Sequence, residues 1–131
     1  MNREDILNMT ERQLKFAVAE HIMGIVINDR VPCGHSGCLS HVTHPCEGCG
    51  RWHPNLVPDY PFDMAAAWMV LEVLRNMFFS TKIIMWDHTE SVVIICRPRQ
   101  GHDECLPDLE VEARTLPLAI CRATLFAKWS L

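Results

Sequence analysis

Cysteine and histidine are concentrated in one short segment of this chain. Four residues of each type fall within the twenty-one residues from Cys33 to His53. Thiolate sulfur and imidazole nitrogen are preferred ligands of Zn²⁺, and a structural zinc site takes four of them in a tetrahedron. The segment lacks the apolar periodicity needed to build a core of its own. A bound metal ion is therefore the expected means of holding it.

The spacing of the cysteines suits one zinc ion. Cys46 and Cys49 enclose two residues, which is typical of a zinc knuckle, and a looser pair with four residues between its members lies upstream. We predict a structural Zn²⁺ with four thiolate ligands: Cys33, Cys38, Cys46 and Cys49. A mixed set also fits the spacing, with His35 or His44 in place of one thiolate.

Catalysis at this metal is not favoured by the motifs. A catalytic zinc keeps an open coordination position and has a general base nearby. The run Pro45-Cys-Glu-Gly-Cys49 matches the second half of a zinc deaminase signature, but no His-x-Glu lies upstream of it. A glycine-rich phosphate loop and a Gly-x-Ser-x-Gly motif are also missing from the sequence. We expect a protein that is not an enzyme, with a nucleotide-processing enzyme as the less favoured alternative.

Composition and charge limit the class of protein. The 131 residues include 49% hydrophobic and 21% charged side chains, which is typical of one globular domain spanning 1–131. Lys+Arg 12 against Asp+Glu 16 gives a net charge of -4. Nucleic acid is therefore not expected as a partner, because nonspecific binding requires a basic surface.

The distribution of apolar residues and cysteines indicates a compartment. The first ten residues carry charges and no apolar core of a signal peptide, and no apolar run approaches the length of a membrane span. An odd number of cysteines, seven, favours reduced thiols and a metal over a disulfide framework. We expect a cytoplasmic protein without membrane association.

Two helices are predicted on either side of the Cys/His-rich segment. Thr10-Glu-Arg-Gln13 fits a capping box, and the apolar residues after it recur at helical spacing. Residues 29–60 contain repeated prolines and glycines, so we interpret them as a zinc loop inserted between the first and second helices. The second helix is predicted from Pro61 to Met77, with a buried stripe made of Met64, Trp68, Leu71 and Leu74.

A small sheet and a last helix are predicted in the second half. Lys82–Trp86 and Val92–Ile95 indicate a hairpin with a five-residue loop, and alternating residues over 109–113 indicate a third strand. A final helix follows Thr115. The two hairpin strands are apolar throughout, which predicts that both faces of the sheet are covered. The expected fold class is α+β, with a small antiparallel sheet sandwiched between helices in an alpha-beta-alpha arrangement.

Three stretches resemble a known family. Tyr60-Pro-Phe-Asp-Met-Ala-Ala-Ala-Trp68 is similar to the Tyr-Ser-Thr-Asp-Ile-Ala-Ala-Ala-Trp signature of the phage ABA sandwich domain family. The Met23-Gly24 pair and Leu116-Pro-Leu-Ala-Ile-Cys-Arg-Ala123 are similar to family features at the end of an early helix and at the last helix. The resemblance implies a helix–sheet–helix sandwich with a Cys-rich insertion, encoded by a bacteriophage or prophage and active in the bacterial host cell. It implies little chemistry.

The aromatic and basic residues suggest a ligand. Guanidinium groups near an aromatic ring suit phosphate and base recognition. We interpret the chain as a phage-encoded, non-catalytic ligand-binding protein that sequesters a nucleotide immune signal of the host, an anti-defence role. Its candidate ligand-binding residues are Trp52, Tyr60, Arg97, Arg99 and Arg114. The apolar sheet also suggests a homo-oligomer.

A second hypothesis places the function in the zinc loop itself. Arg51, Trp52 and His53 directly follow the Cys46–Cys49 knuckle. A basic and aromatic tip of this kind could contact a protein or a nucleic acid. The acidic balance of the chain favours a protein over a nucleic acid in this alternative.

Overall fold

The computed structural model describes residues 2–27, 45–46, 48–77, 80–85, 91–97 and 108–129. Within these residues the chain forms four α-helices, one short 3-10 helix and three strands. The elements are α1 (Arg3–Leu7), α2 (Glu11–His21), the 3-10 helix (Pro54–Leu56), α3 (Met64–Met77), β1 (Ser80–Met85), β2 (Val92–Arg97), β3 (Leu109–Ala113) and α4 (Leu116–Lys128).

Both N-terminal helices begin with a reciprocal capping box. At α2 the Gln13 N–H donates to Thr10 Oγ1 at 3.2 Å, and the Thr10 N–H donates to Gln13 Oε1 at 2.9 Å. This confirms the predicted start of the helix. Asn2 and Asp5 form the same box at α1, a helix that the sequence reading missed. Five residues are too few to show a helical period, so the cap was the only available signal.

The three strands form one antiparallel sheet in the order β1-β2-β3. Ile94 at the centre of β2 pairs with Ile83 on one side and Val111 on the other. The predicted hairpin and third strand are confirmed. The register differs, because Met85 pairs with Val92 and leaves six residues between the paired positions rather than five. A change of one residue moves every side chain of β1 to the other face of the sheet.

One face of the sheet carries the main core. Val92, Ile94 and Cys96 of β2 lie on this first face, together with Val111 of β3. They share a core with buried residues of α4, which packs on β2 and β3. Helix α3 then packs on α4, and α1 and α2 also contact α4. Helix α4 is therefore the central element of the described structure.

The opposite, second face of the sheet has a different composition. Val93 lies there and is only 7% exposed, yet it is not part of the main core. Ile84 and Ile95 beside it are half-buried. The charged side chains of the same face follow from the register: Lys82, Arg97, Glu110 and Glu112. Although β2 is largely apolar in sequence, one of its faces belongs to the main core and the other lies beside charged side chains.

The buried stripe of α3 is rotated from the predicted one. Leu71 and Leu74 are buried as expected, but Met64 and Trp68 are exposed, Trp68 by 53%. The buried face instead includes Ala66 and Ala67. Small side chains allow two helices to approach closely, so the two alanines suit the buried face of a helix that packs against α4.

The predicted fold class is confirmed, since helices pack with a small antiparallel sheet in an α+β architecture. Within this architecture the buried Thr124 Oγ1 donates to the Ile120 carbonyl at 2.7 Å. Among the described helices, none has both the length and the apolar character needed to cross a membrane.

Candidate functional site

A tight turn brings Cys46 and Cys49 together. The Cys46 N–H donates to the Arg51 carbonyl at 2.9 Å, and the Gly50 N–H donates to the Cys46 carbonyl at 2.7 Å. Gly50 has a φ of +71°, in the left-handed region that favours glycine. The chain therefore reverses within six residues and places both cysteines on one turn, which is the shape of a zinc knuckle.

The chemistry of this turn fits a structural metal ion. Cys46 is 2% exposed and Cys49 is exposed, so the pair lies at the boundary between the interior and solvent. Two thiolates from one turn can supply half of a tetrahedral zinc site. The remaining predicted ligands, Cys33 and Cys38, lie outside the described residues, as do His35 and His44. Within the described residues alone, no group of three ligands is assembled.

The residues that follow the turn are fastened to the domain. The Trp52 N–H donates to the Val26 carbonyl at 2.8 Å, and Trp52 forms an isolated parallel bridge with Ile27. His53 Nδ1 accepts the Asn55 N–H at 3.1 Å and so caps the 3-10 helix. Arg51, Trp52 and His53 are all half-buried. The predicted contact tip is therefore held in place by hydrogen bonds and does not project freely into solvent.

Tyr60 occupies the interior of the protein. It is 1% exposed and belongs to the main core. Burial raises the pKa of its hydroxyl, and the nearby Cys121 thiol raises it further. Tyr60 was predicted as a ligand-binding residue, and in this position its side chain does not reach the protein surface. The side chain instead belongs to the core, four residues before α3 begins.

The predicted arginines do not converge. Arg97 ends β2, whereas Arg114 follows Ala113, which pairs with Val92 at the other end of that strand. Six residues of extended chain separate the two ends, a distance of about 20 Å. Both arginines are exposed, and Arg99 lies outside the described residues. A single small ligand would therefore meet Arg97 or Arg114, but not both.

The strand register places a second cationic side chain beside Arg97. Lys82 of β1 pairs with Ile95, two residues before Arg97, so both exposed side chains lie on the second face as diagonal neighbours. Diagonal pairs on a sheet are about 7–8 Å apart. Sequence reasoning missed Lys82, because a five-residue loop places it on the opposite face. The sequence carries no signal for the correct register, because β1 and β2 are apolar on both faces.

Carboxylates occupy the opposite side of the same face. Ile95 separates Lys82 on one strand from Glu110 on the other. Two strand spacings give about 10 Å between the backbones of these charged residues. Glu112 accepts a hydrogen bond from Ser91 Oγ. Across the row at Ile95 the second face therefore presents Lys82, an apolar middle and Glu110, and Arg97 lies further along the middle strand.

The remaining described cysteines are core thiols, as predicted. Cys96 and Cys121 are fully buried. Burial raises the pKa of both thiols, that of Cys121 to about 12. A thiol with so high a pKa holds its proton and is a poor nucleophile. Neither residue is suited to covalent catalysis.

Comparison with known proteins gives one match. The family model described as the phage ABA sandwich domain matches residues 17–125. This range covers the second half of α2, the Cys/His-rich segment, α3, the sheet and most of α4. No curated protein and no solved structure matches the chain significantly.

Proposed function

The chain belongs to the phage ABA sandwich domain family, and from this premise we propose that it is a phage-encoded, non-catalytic protein that binds a nucleotide. Its cargo would be a nucleotide immune signal of the bacterial host, which the protein sequesters in the cytoplasm without converting it. The Cys/His-rich segment would hold a structural Zn²⁺ and take no part in chemistry.

The proposal rests on two cations, Lys82 and Arg97, that are diagonal neighbours on the second face of the sheet. Two exposed cations on adjacent strands suit a phosphate group, and the guanidinium of Arg97 can donate two parallel hydrogen bonds to it. Ile95 of β2 lies between Lys82 of β1 and Glu110 of β3, and Arg97 follows two residues later on the same strand as Ile95. An apolar surface beside a phosphate site suits the flat face of a base.

The carboxylates complete the match to a nucleotide. Glu110 is about 10 Å from Lys82 across the sheet, which is close to the distance between a phosphate and the far edge of its base. Its carboxylate can accept hydrogen bonds from an amino or ribose hydroxyl group. A simple anion would use the cations alone, so the face favours a ligand with an anionic end and a donor-bearing end.

Titration calorimetry against cyclic dinucleotides and ADP-ribose-type nucleotides tests the proposal. We expect one of these classes to bind, and Lys82→Gln and Arg97→Gln to weaken binding by about tenfold each. Lys128→Gln is the matched control, because Lys128 is an exposed cation on the last turn of α4. Absence of heat with every nucleotide, or equal losses in the control, would contradict the proposal.

Recovery of the ligand separates sequestration from catalysis. After long incubation with the protein and heat release, chromatography should return the bound nucleotide unchanged. Conversion to a product would show that the chain is an enzyme, which is the alternative to a binding protein.

A further inference from the structure

An apolar patch covers the outward side of the first half of α3. It consists of four exposed side chains: Met64, Ala65, Trp68 and Met69. Trp68 is 53% and Met69 is 56% exposed. Met64 and Trp68 are one helical turn apart, as are Ala65 and Met69, so the four side chains form one continuous surface. Large apolar groups left in water at this density mark an interaction surface.

Charged residues flank this α3 patch in a definite order. Asp59 and Asp63 are exposed at the N-terminal end of the helix. Arg75 lies on the exposed second half, where its Nη1 is 3.1 Å from Glu72 Oε1. The face therefore runs from an acidic end through the apolar patch to a cation that is shared with Glu72.

We propose that this face of α3 packs against the same face of a second copy of the chain, with the two helices antiparallel across a two-fold axis. A two-fold interface uses one self-complementary surface twice. In this dimer the two α3 patches face each other, and Arg75 of each copy approaches the acidic end of the α3 face in the other copy. Parallel helices would instead bring the two acidic ends together, so the charge order selects the antiparallel arrangement.

The apolar area of the α3 patch indicates the affinity of the dimer. The patch offers on the order of 300 Å² of apolar area, less than half of the ~800 Å² that each partner contributes to a standard interface. The flanking charged residues must supply much of the remainder. The resulting dimer is weak and reversible, with a micromolar dissociation constant.

Sedimentation equilibrium over a concentration series tests the interface without any nucleotide. We expect the wild-type chain to dimerise and Trp68→Glu to be monomeric with an unchanged melting temperature, since Trp68 contributes little to the core. Leu7→Gln is the matched control, because Leu7 is another exposed apolar residue on a helix. A wild-type monomer at all concentrations, or a dimer that Trp68→Glu leaves intact, would overturn the proposal.

A charge exchange tests the antiparallel arrangement independently. Arg75→Glu should weaken the dimer by about tenfold, and adding Asp59→Arg to it should restore most of the affinity. Asp59 is chosen over Asp63 because Asp63 Oδ1 accepts the Ala65 N–H at the start of α3. Failure of the second substitution to restore the dimer would overturn the antiparallel arrangement. Capture of an unrelated protein by the wild-type patch, with no self-association, would overturn the dimer itself.

Discussion

At the scale of single residues, the cysteines fall into two physical classes. Cys46 and Cys49 share a turn near the surface, whereas Cys96 and Cys121 are enclosed in the core. Spacing alone distinguished them, because the first pair is separated by two residues and the others stand alone among apolar neighbours. Local spacing in the sequence therefore predicts which of these four cysteines share a turn and which are core thiols.

Zinc binding is the first prediction at this scale. Protein purified without chelators should contain about one zinc ion per chain by elemental analysis, because four thiolates fill one tetrahedral site. Cys46→Ser and Cys49→Ser should each lose most of the metal. Cys121→Ala keeps the knuckle intact and should retain it. A full complement of zinc in both serine variants would remove Cys46 and Cys49 from the ligand set.

Alkaline sensitivity is the second prediction. The pKa of Cys121 rises from an ordinary 9.0 to about 12 on folding, so the folded state holds the thiol proton more tightly than the unfolded state. The associated stability is complete below pH 9 and is lost as the pH rises from about 9 to about 12. Denaturant unfolding at a series of pH values should show this decline. Cys121→Ala should be less stable at neutral pH but should decline less steeply, and an equally steep decline would contradict the assignment.

Two aromatic residues show where single-residue prediction fails. The sequence suggested Trp68 for the core and Tyr60 for ligand binding, whereas the structure exposes Trp68 and buries Tyr60. Helical spacing identifies which residues share a face, but it does not say which face turns inward. On α3 the buried face combines two alanines with Leu71 and Leu74, and the helix packs against α4.

At the scale of elements, the turn at Cys46 depends on one backbone conformation. Gly50 has a positive φ, and a Cβ placed there would meet no heavy atom within 4 Å. The cost of a side chain at this position is therefore purely conformational, about 1–2 kcal/mol for an ordinary residue.

We expect Gly50→Ala to weaken zinc binding by roughly tenfold in competition with a chromophoric chelator, because the turn must form for both thiolates to reach one ion. Gly50→Asn should weaken it less, since asparagine tolerates the left-handed region better. Equal zinc affinity in wild type and Gly50→Ala would show that the turn is not part of the metal site.

The elements themselves were largely predictable. Capping at Thr10 and the alternation in β3 are signals carried by neighbouring residues, and both elements form as expected. The hairpin register was not predictable, because apolar residues on both faces of β1 and β2 allow either alignment. The position of Lys82 beside Arg97, and with it the candidate ligand surface, depends on that register.

At the scale of the whole molecule, we propose separate roles for the Cys/His-rich segment and for the second face of the sheet. The segment is joined to residues 26 and 27 by a hydrogen bond and a β-bridge at Trp52, whereas the candidate ligand surface lies on β1, β2 and β3. We expect a chelator to lower the melting temperature and to increase amide exchange over residues 48–57. Nucleotide binding should persist in the same sample. Loss of binding with the fold intact would move the ligand site to the zinc segment.

The bridge between Ile27 and Trp52 has a consequence for how this chain can vary. It joins the two ends of the Cys/His-rich segment within the folded domain. Closing a loop costs entropy that grows only slowly with its length, so the contents of this segment can change at little cost to the rest of the fold. We therefore expect that the segment can be replaced as a unit. A chain in which a Gly/Ser linker replaces residues 28–51 should keep its helices and sheet, and relatives could carry a different insert at the same two residues.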